Sequence, residues 1–153
     1  MKRRIDLIVI HCSATREDRS YTPAQMERDH KARGFNSAGY NYYIRQSGEV
    51  VALRHISQVP AHAKGYNKNS IGICYEGGLD TNGKAKDTRT DAQKLALESL
   101  LKQLVSVYPN ARIVGHRDLS PDLNSNGIIE PFEWTKMCPC FDASKEYKHI
   151  SVK

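Results

Sequence analysis

The stretch IDLIVIH, residues 5–11, passes from Ile5 and Asp6 through an unbroken apolar, mostly β-branched run, Leu7 to Ile10, to a histidine. That is the pattern of a strand buried on both faces of a central sheet, with His11 delivered to its C-terminal end. Two later stretches repeat it. NSIGICYEGG (69–78) reads as a further buried strand that stops at a glycine pair, and ARIVGH (111–116) as another that again ends in a histidine, His116. YNYYIRQSGEVVALR (40–54) is a hairpin of two strand-like runs joined around Ser47-Gly48, where glycine supplies positive φ. Helical spacing separates these runs. In YTPAQMERDHKARG (21–34), Thr22 is the N-cap, Pro23 the first helical residue, Gln25 the partner in a capping box and Gly34 the stop. TRTDAQKLALESLLKQLVSVYP (88–109) opens with a second capping box, Thr90 and Gln93. Its stripe of Leu97, Leu100, Leu101, Leu104 and Tyr108 faces the core. DASKEYKHI (142–150) reads as a short closing helix. Strands and helices mix without repeats or low-complexity linkers, so residues 1–153 are expected to form a single α/β domain, a central mixed β-sheet flanked by helices.

Composition narrows the function classes. The chain has 153 residues, enough for a core without disulfide staples. Its formal net charge of +6 suits a polyanionic partner such as a wall polymer, a membrane surface or a nucleic acid. Lysines and arginines are scattered, however, and no helix-turn-helix, zinc-finger or RNA-stacking motif is present, so nucleic-acid binding is not expected. Neither is membrane insertion, because no stretch approaches the length of a span. No obligate protein partner is inferred. MKRRIDLIVIHCSAT begins like a signal peptide, but its apolar run is short and no small-residue cleavage site follows. The expected location is therefore the cytoplasm at synthesis. Cys12 and Cys74 fall inside apolar runs and read as buried thiols, with Cys12 turned to the face opposite His11.

Two strands that end in histidine suggest convergence, because α/β proteins place their sites in loops at strand ends. KMCPC (136–140) offers a thiolate as third ligand, and a catalytic zinc takes three protein ligands and leaves a fourth position for water. No local spacing ties these groups together, and the choice between Cys138 and Cys140 stays open on spacing alone. A structural role remains the alternative for each: a hydrogen-bonded histidine at 11, 62 or 116, a strand aromatic at Tyr40, a surface charge at Lys136. His30 and His55 match no motif and read as surface residues.

The segments IVIHCSAT, GYNYYI, AHAKGYNKNSIGIC, GHRDLSP and KMCPCFD occur together in an order that resembles the type 2 N-acetylmuramoyl-L-alanine amidases. The likeness spans residues 5–145, is greatest to the small phage lysozymes of amidase type, and extends distantly to peptidoglycan recognition proteins. It implies that His11, His116 and Cys138 bind Zn2+, the frame K-x-C-P-x-F-D selecting Cys138 over Cys140. It also implies that Tyr40 and Lys136 are catalytic, and that His62 and Asn67 line the substrate cleft. The implied partner is peptidoglycan or muropeptide. The implied activity is hydrolysis of the amide between N-acetylmuramic acid and L-alanine, by a lysin that reaches the wall after release. Two other functions share the cleft. A non-catalytic recognition domain typically lacks the ligand cysteine. A cytoplasmic amidase that recycles muropeptide fragments has an acidic residue in place of Tyr40 and Asp in place of the cysteine.

One segment departs from that pattern. Between GHRDLSP and KMCPC, residues 122–133 read DLNSNGIIEPFE and fit the calcium-loop template D-x-[DN]-x-[DN]-G-x5-E. Ca2+ would be held by Asp122, Asn124, Asn126, the Ile128 carbonyl and Glu133. A calcium-free Asx-turn loop that merely bridges the ligands is the equal alternative.

Overall fold

In the computed structural model, which describes residues 3–121, 123–126, 129 and 137–150, the first apolar run forms strand β1 (Leu7–Cys12). The sheet that contains it adds β3 (Tyr42–Ile44), β4 (Val50–Ala52), β5 (Ser70–Tyr75) and β7 (Arg112–Gly115), in the order β4-β3-β5-β1-β7. β3, β5, β1 and β7 run parallel, and β4 pairs antiparallel with β3 at one edge, so the sheet is mixed as expected. Leu7 pairs with both Ser70 and Arg112. This register brings the carboxyl ends of β1, β5 and β7 to one edge, and with them His11 and His116. A second, two-stranded parallel sheet, β2 (Thr15–Arg16) with β6 (Gly78–Leu79), is an addition to the expected fold.

Both capping boxes form. At helix α1 (Pro23–Ala32) the Gln25 N–H donates to Thr22 Oγ1 at 3.1 Å, while the Thr22 N–H donates to Gln25 Oε1 at 2.7 Å. Thr90 and Gln93 repeat the arrangement at α2 (Asp91–Val107), with distances of 3.1 and 2.9 Å. Strand alternation then sorts the side chains. Ile8, Ile10 and Cys12 of β1 and Ile71, Ile73 and Tyr75 of β5 join Leu97, Leu100, Leu101 and Leu104 of α2 in the larger core. Burying a leucine stabilises by roughly 1.5–3 kcal/mol relative to exposure, so packing rather than helix propensity fixes α2 to the sheet. Tyr108 caps the helix and is only partly buried. On the other face Cys74 of β5 packs with Met26 of α1, Ala38 and Tyr43.

The C-terminal segment is held to this framework by contacts along its length. Tyr75 Oη donates to the Pro139 carbonyl at 2.6 Å, and the Arg117 N–H donates to the Cys138 carbonyl at 2.9 Å. The Arg89 side chain is 1 % exposed, pairs with Asp87 and Glu146, and stacks 3.4 Å over the Phe141 ring. Pro139 packs directly on Gly115, where a Cβ would come within 2.7 Å of the proline Cδ. The glycine before His116 therefore allows the cysteine segment to close over the end of β7. Helix α3 (Ala143–Glu146) follows, with the Lys145 N–H donating to the Asp142 carboxylate.

Candidate metal centre

His11 lies in β1 and is 2 % exposed, on the face opposite Ile10 and Cys12. His116 opens a 3₁₀ turn, His116–Leu119, directly after β7. Asp118 fixes that turn by accepting the Gly115 N–H at 2.8 Å and the Ser144 hydroxyl at 2.7 Å. The His11 and His116 ring centroids are 4.5 Å apart. Together with Cys138 they bring one donor atom each to within 4.8 Å of one another, the cluster of metal-binding type among the described residues. The Cys12 N–H donates to Cys138 Sγ at 3.1 Å, which orients that sulfur at the carboxyl end of β1. Two imidazoles and a thiolate are a donor set that zinc accepts, with a position left for water. The residues present fit the metal.

The cysteine ambiguity resolves in the fold. Cys140 turns away from the cluster, with its thiol donating to the Gly78 carbonyl at 3.4 Å and lying 4.0 Å from Cys12 Sγ. Contact with Cys12, then burial, pushes the Cys140 thiol pKa up, so it stays protonated. Cys12 points into the core, as its place after His11 predicts.

The cluster opens on a cleft of about 670 Å³ that is also lined by His30, Tyr40, His62 and Asn67. Tyr40 precedes β3, with its ring centroid 5.0 Å from that of His11. Burial first, then the Cys74, Cys138 and Cys12 thiols, hold its phenol well above the usual range, so it is a proton-bearing donor at neutral pH. His62 Nδ1 lies 2.7 Å from His11 Nε2, and burial followed by the neighbouring His116 depresses its pKa to about 3, leaving the ring neutral. Asn67 serves the loop. Its side-chain oxygen accepts the N–H groups of His62 and Ala63 at 3.0 and 2.9 Å.

His30 corrects the expectation of a surface residue. It is 8 % exposed, lines the cleft, and accepts the Gly39 N–H on Nδ1 at 2.8 Å, so the proton of the neutral ring sits on Nε2. Burial, then Arg33, lowers its pKa. The partner is a backbone group nine residues on, which leaves no side-chain motif to read. His55 is exposed, as expected, beside Ser57. Lys136 lies outside the described residues, as do Asp122, Ile128 and Glu133 of the calcium-loop match. Of that match, Asn124 and Asn126 are described, the Asn126 N–H donating to Asn124 Oδ1 at 3.3 Å in the manner of an Asx turn.

A mixed sheet with two histidines and a cysteine converging at its carboxyl edge defines an α/β domain with a candidate hydrolytic metal centre. Comparison with known proteins makes the class specific: residues 1–139 match the N-acetylmuramoyl-L-alanine amidase family, and the chain belongs to that family. It is 36 % identical over 140 residues to the endolysin of Escherichia phage T7, covering 92 % of this chain and 83 % of that one. An uncharacterized protein of Haemophilus influenzae is 50 % identical over 95 residues, 62 % of this chain and 82 % of the other. Among solved structures, the N-acetylmuramoyl-L-alanine amidase LysC from Clostridium intestinale superposes with a TM-score of 0.74 at 25 % identity, over 99 % of this chain and 89 % of that one. The complex of peptidoglycan recognition proteins LCa and LCx with tracheal cytotoxin gives 0.71 at 26 % identity, over 97 % and 83 %.

Proposed function

We propose that the protein is a zinc-dependent N-acetylmuramoyl-L-alanine amidase that cuts the amide between N-acetylmuramic acid and L-alanine in bacterial peptidoglycan, as a lysin of phage or prophage type. The observation that carries this reading is the convergence of His11, His116 and Cys138 beside Tyr40 in one cleft. A bound zinc supplies Lewis-acid polarisation of the scissile carbonyl and lowers the pKa of water toward about 7. The chain's own residues do the rest. Tyr40 presents a neutral phenol to the developing oxyanion, and the Lys136 ammonium, two positions before Cys138 in sequence, adds a second donor to the same charge. Each such donor is worth about 2.7–4 kcal/mol to the transition state. The neutral His30 and His62 rings add no positive charge beside the metal ligands. A nucleophilic serine or cysteine has no part in this scheme.

Purified peptidoglycan incubated with the protein should release stem peptides with free L-alanine amino ends, identified by mass spectrometry. A chelator should stop the release and added zinc restore it. Binding to the sacculus with no new amino ends would leave a recognition domain instead. The names of the phage relatives support action on the wall after release from the cytoplasm in which the chain is made. Cells that produce the protein should therefore lyse only once their inner membrane is permeabilised.

The insert at 122–133 has its own test. The template match predicts calcium binding with a dissociation constant on the order of 10⁻⁵–10⁻³ M, since two amides replace carboxylates. Millimolar calcium should then raise the melting temperature of the zinc-loaded protein, and Glu133→Gln should remove the effect. A melting temperature indifferent to calcium, with none bound on direct titration, makes the segment a spacer.

A further inference from the structure

Behind the metal centre the side chains of His11, His62 and Ser70 stand in file. His11 Nε2 is 2.7 Å from His62 Nδ1, His62 Nε2 is 2.7 Å from Ser70 Oγ, and Ser70 Oγ reaches the Asn67 carbonyl at 3.5 Å. Each hydrogen bond holds one proton, so with neutral rings the file can run in only two directions. In one, Ser70 donates to the Asn67 carbonyl, His62 donates Nε2–H to Ser70, and His11 donates Nε2–H to His62. His11 then carries its lone pair on Nδ1. In the other, Ser70 donates to His62, His62 donates Nδ1–H to His11, and His11 must hold its own proton on Nδ1. A nitrogen engaged at 2.7 Å by another ring is not also a metal ligand. Only the first direction therefore leaves His11 able to accept a metal.

We propose that Ser70 and His62 are positioning residues that hold His11 in its Nε2–H tautomer, with Nδ1 turned to the metal, and that the Asn67 carbonyl sets the direction of the file. The proposal rests on the reading of His11 as a metal ligand. Metal-bound histidines commonly donate their second ring N–H to an acceptor that fixes tautomer and orientation. Here that acceptor is a second imidazole, itself fixed from behind. Ser70 is fully buried on β5, and its carbonyl accepts Arg3 Nη1 at 3.0 Å. The His62 ring lies on Gly72, where a Cβ would sit 2.9 Å from the ring Cγ, and Asn67 clamps the His62 N–H. Both His62 nitrogens serve the protein, so His62 acts on substrate only through His11.

Tautomers are read directly by long-range ¹H–¹⁵N correlation spectra of the unaltered, ¹⁵N-labelled protein. In the metal-free state both His11 and His62 should appear as Nε2–H forms, and zinc should shift His11 Nδ1 while Nε2 stays protonated. A His11 Nδ1–H form, or zinc bound at Nε2, overturns the file. Chelator competition should show zinc binding weakened about 10–100-fold in His62→Phe and in Gly72→Ala, which displaces the ring. Ser70→Ala should weaken it less, and Ser70→Thr, which keeps the hydroxyl, should restore it. Zinc affinity unchanged in His62→Phe also overturns the proposal. Failure of the unaltered protein to bind zinc would sink the metal-centre reading, whereas the metal-free tautomers test the file separately.

Discussion

Cys138→Ser is expected to strip the protein of stoichiometric zinc, while Cys140→Ser keeps it. The two residues are two positions apart, yet their sulfurs face different surroundings. Cys138 Sγ receives the Cys12 N–H and shares a cluster with His11 and His116, whereas the Cys140 thiol is occupied by the Gly78 carbonyl and Cys12. Four-ligand zinc sites gain roughly 10–16 kcal/mol in all, so loss of one thiolate should cost about 3 kcal/mol or more, upward of a hundredfold in affinity. A serine hydroxyl does not replace it, because it stays protonated at neutral pH and zinc prefers the thiolate. The measurement is metal content after gel filtration, with circular dichroism to show that both variants fold. Zinc retained by Cys138→Ser, or lost from Cys140→Ser, would move the ligand to the other cysteine.

Much of this architecture was legible because its causes are local. The capping boxes at Thr22 and Thr90 declare themselves within four residues, and the leucine stripe of α2 and the apolar run of β1 are periodic signals. The histidines that end the first and the last of these apolar runs suggest convergence, because α/β proteins place their sites in loops at strand ends. What escaped is non-local or too short. β2 and β6 have two residues each, below any periodicity. His30 is buried by a backbone partner across a loop. The file behind His11 left a faint mark: in SIGIC the alternation places Ser70, Gly72 and Cys74 on one face and Ile71 and Ile73 on the other. Small and polar residues confined to one face of a buried strand signal a neighbour that needs the space, here the His62 ring. The cysteine choice needed the frame of the resemblance, because spacing says nothing of which way each sulfur turns.

Tyr40→Phe should lower kcat about 10²–10³-fold while zinc content and KM stay near those of the unaltered protein. The ring packs against His11 and will keep that contact as phenylalanine, so the variant removes only the hydroxyl. In the ground state the amide carbonyl is neutral and gains little from one more donor. As the tetrahedral oxyanion forms, the same donor meets a full charge in a cleft partly closed to water, and its loss costs about 2.7–4 kcal/mol. An effect confined to the transition state appears in kcat and kcat/KM equally. The pH profile gives a second check with a definite sign. Burial and the surrounding thiols raise the phenol pKa, so the donating, protonated form persists to higher pH than a free tyrosine would allow. The unaltered enzyme should therefore show no alkaline fall near pH ~10 that Tyr40→Phe abolishes. Lys136→Ala should lose rate in the same way, an expectation that rests on the lysine's place in the K-x-C-P-x-F-D frame. A Tyr40→Phe enzyme within a fewfold of the normal kcat would remove the phenol from the oxyanion's donors and leave that charge to the metal and Lys136.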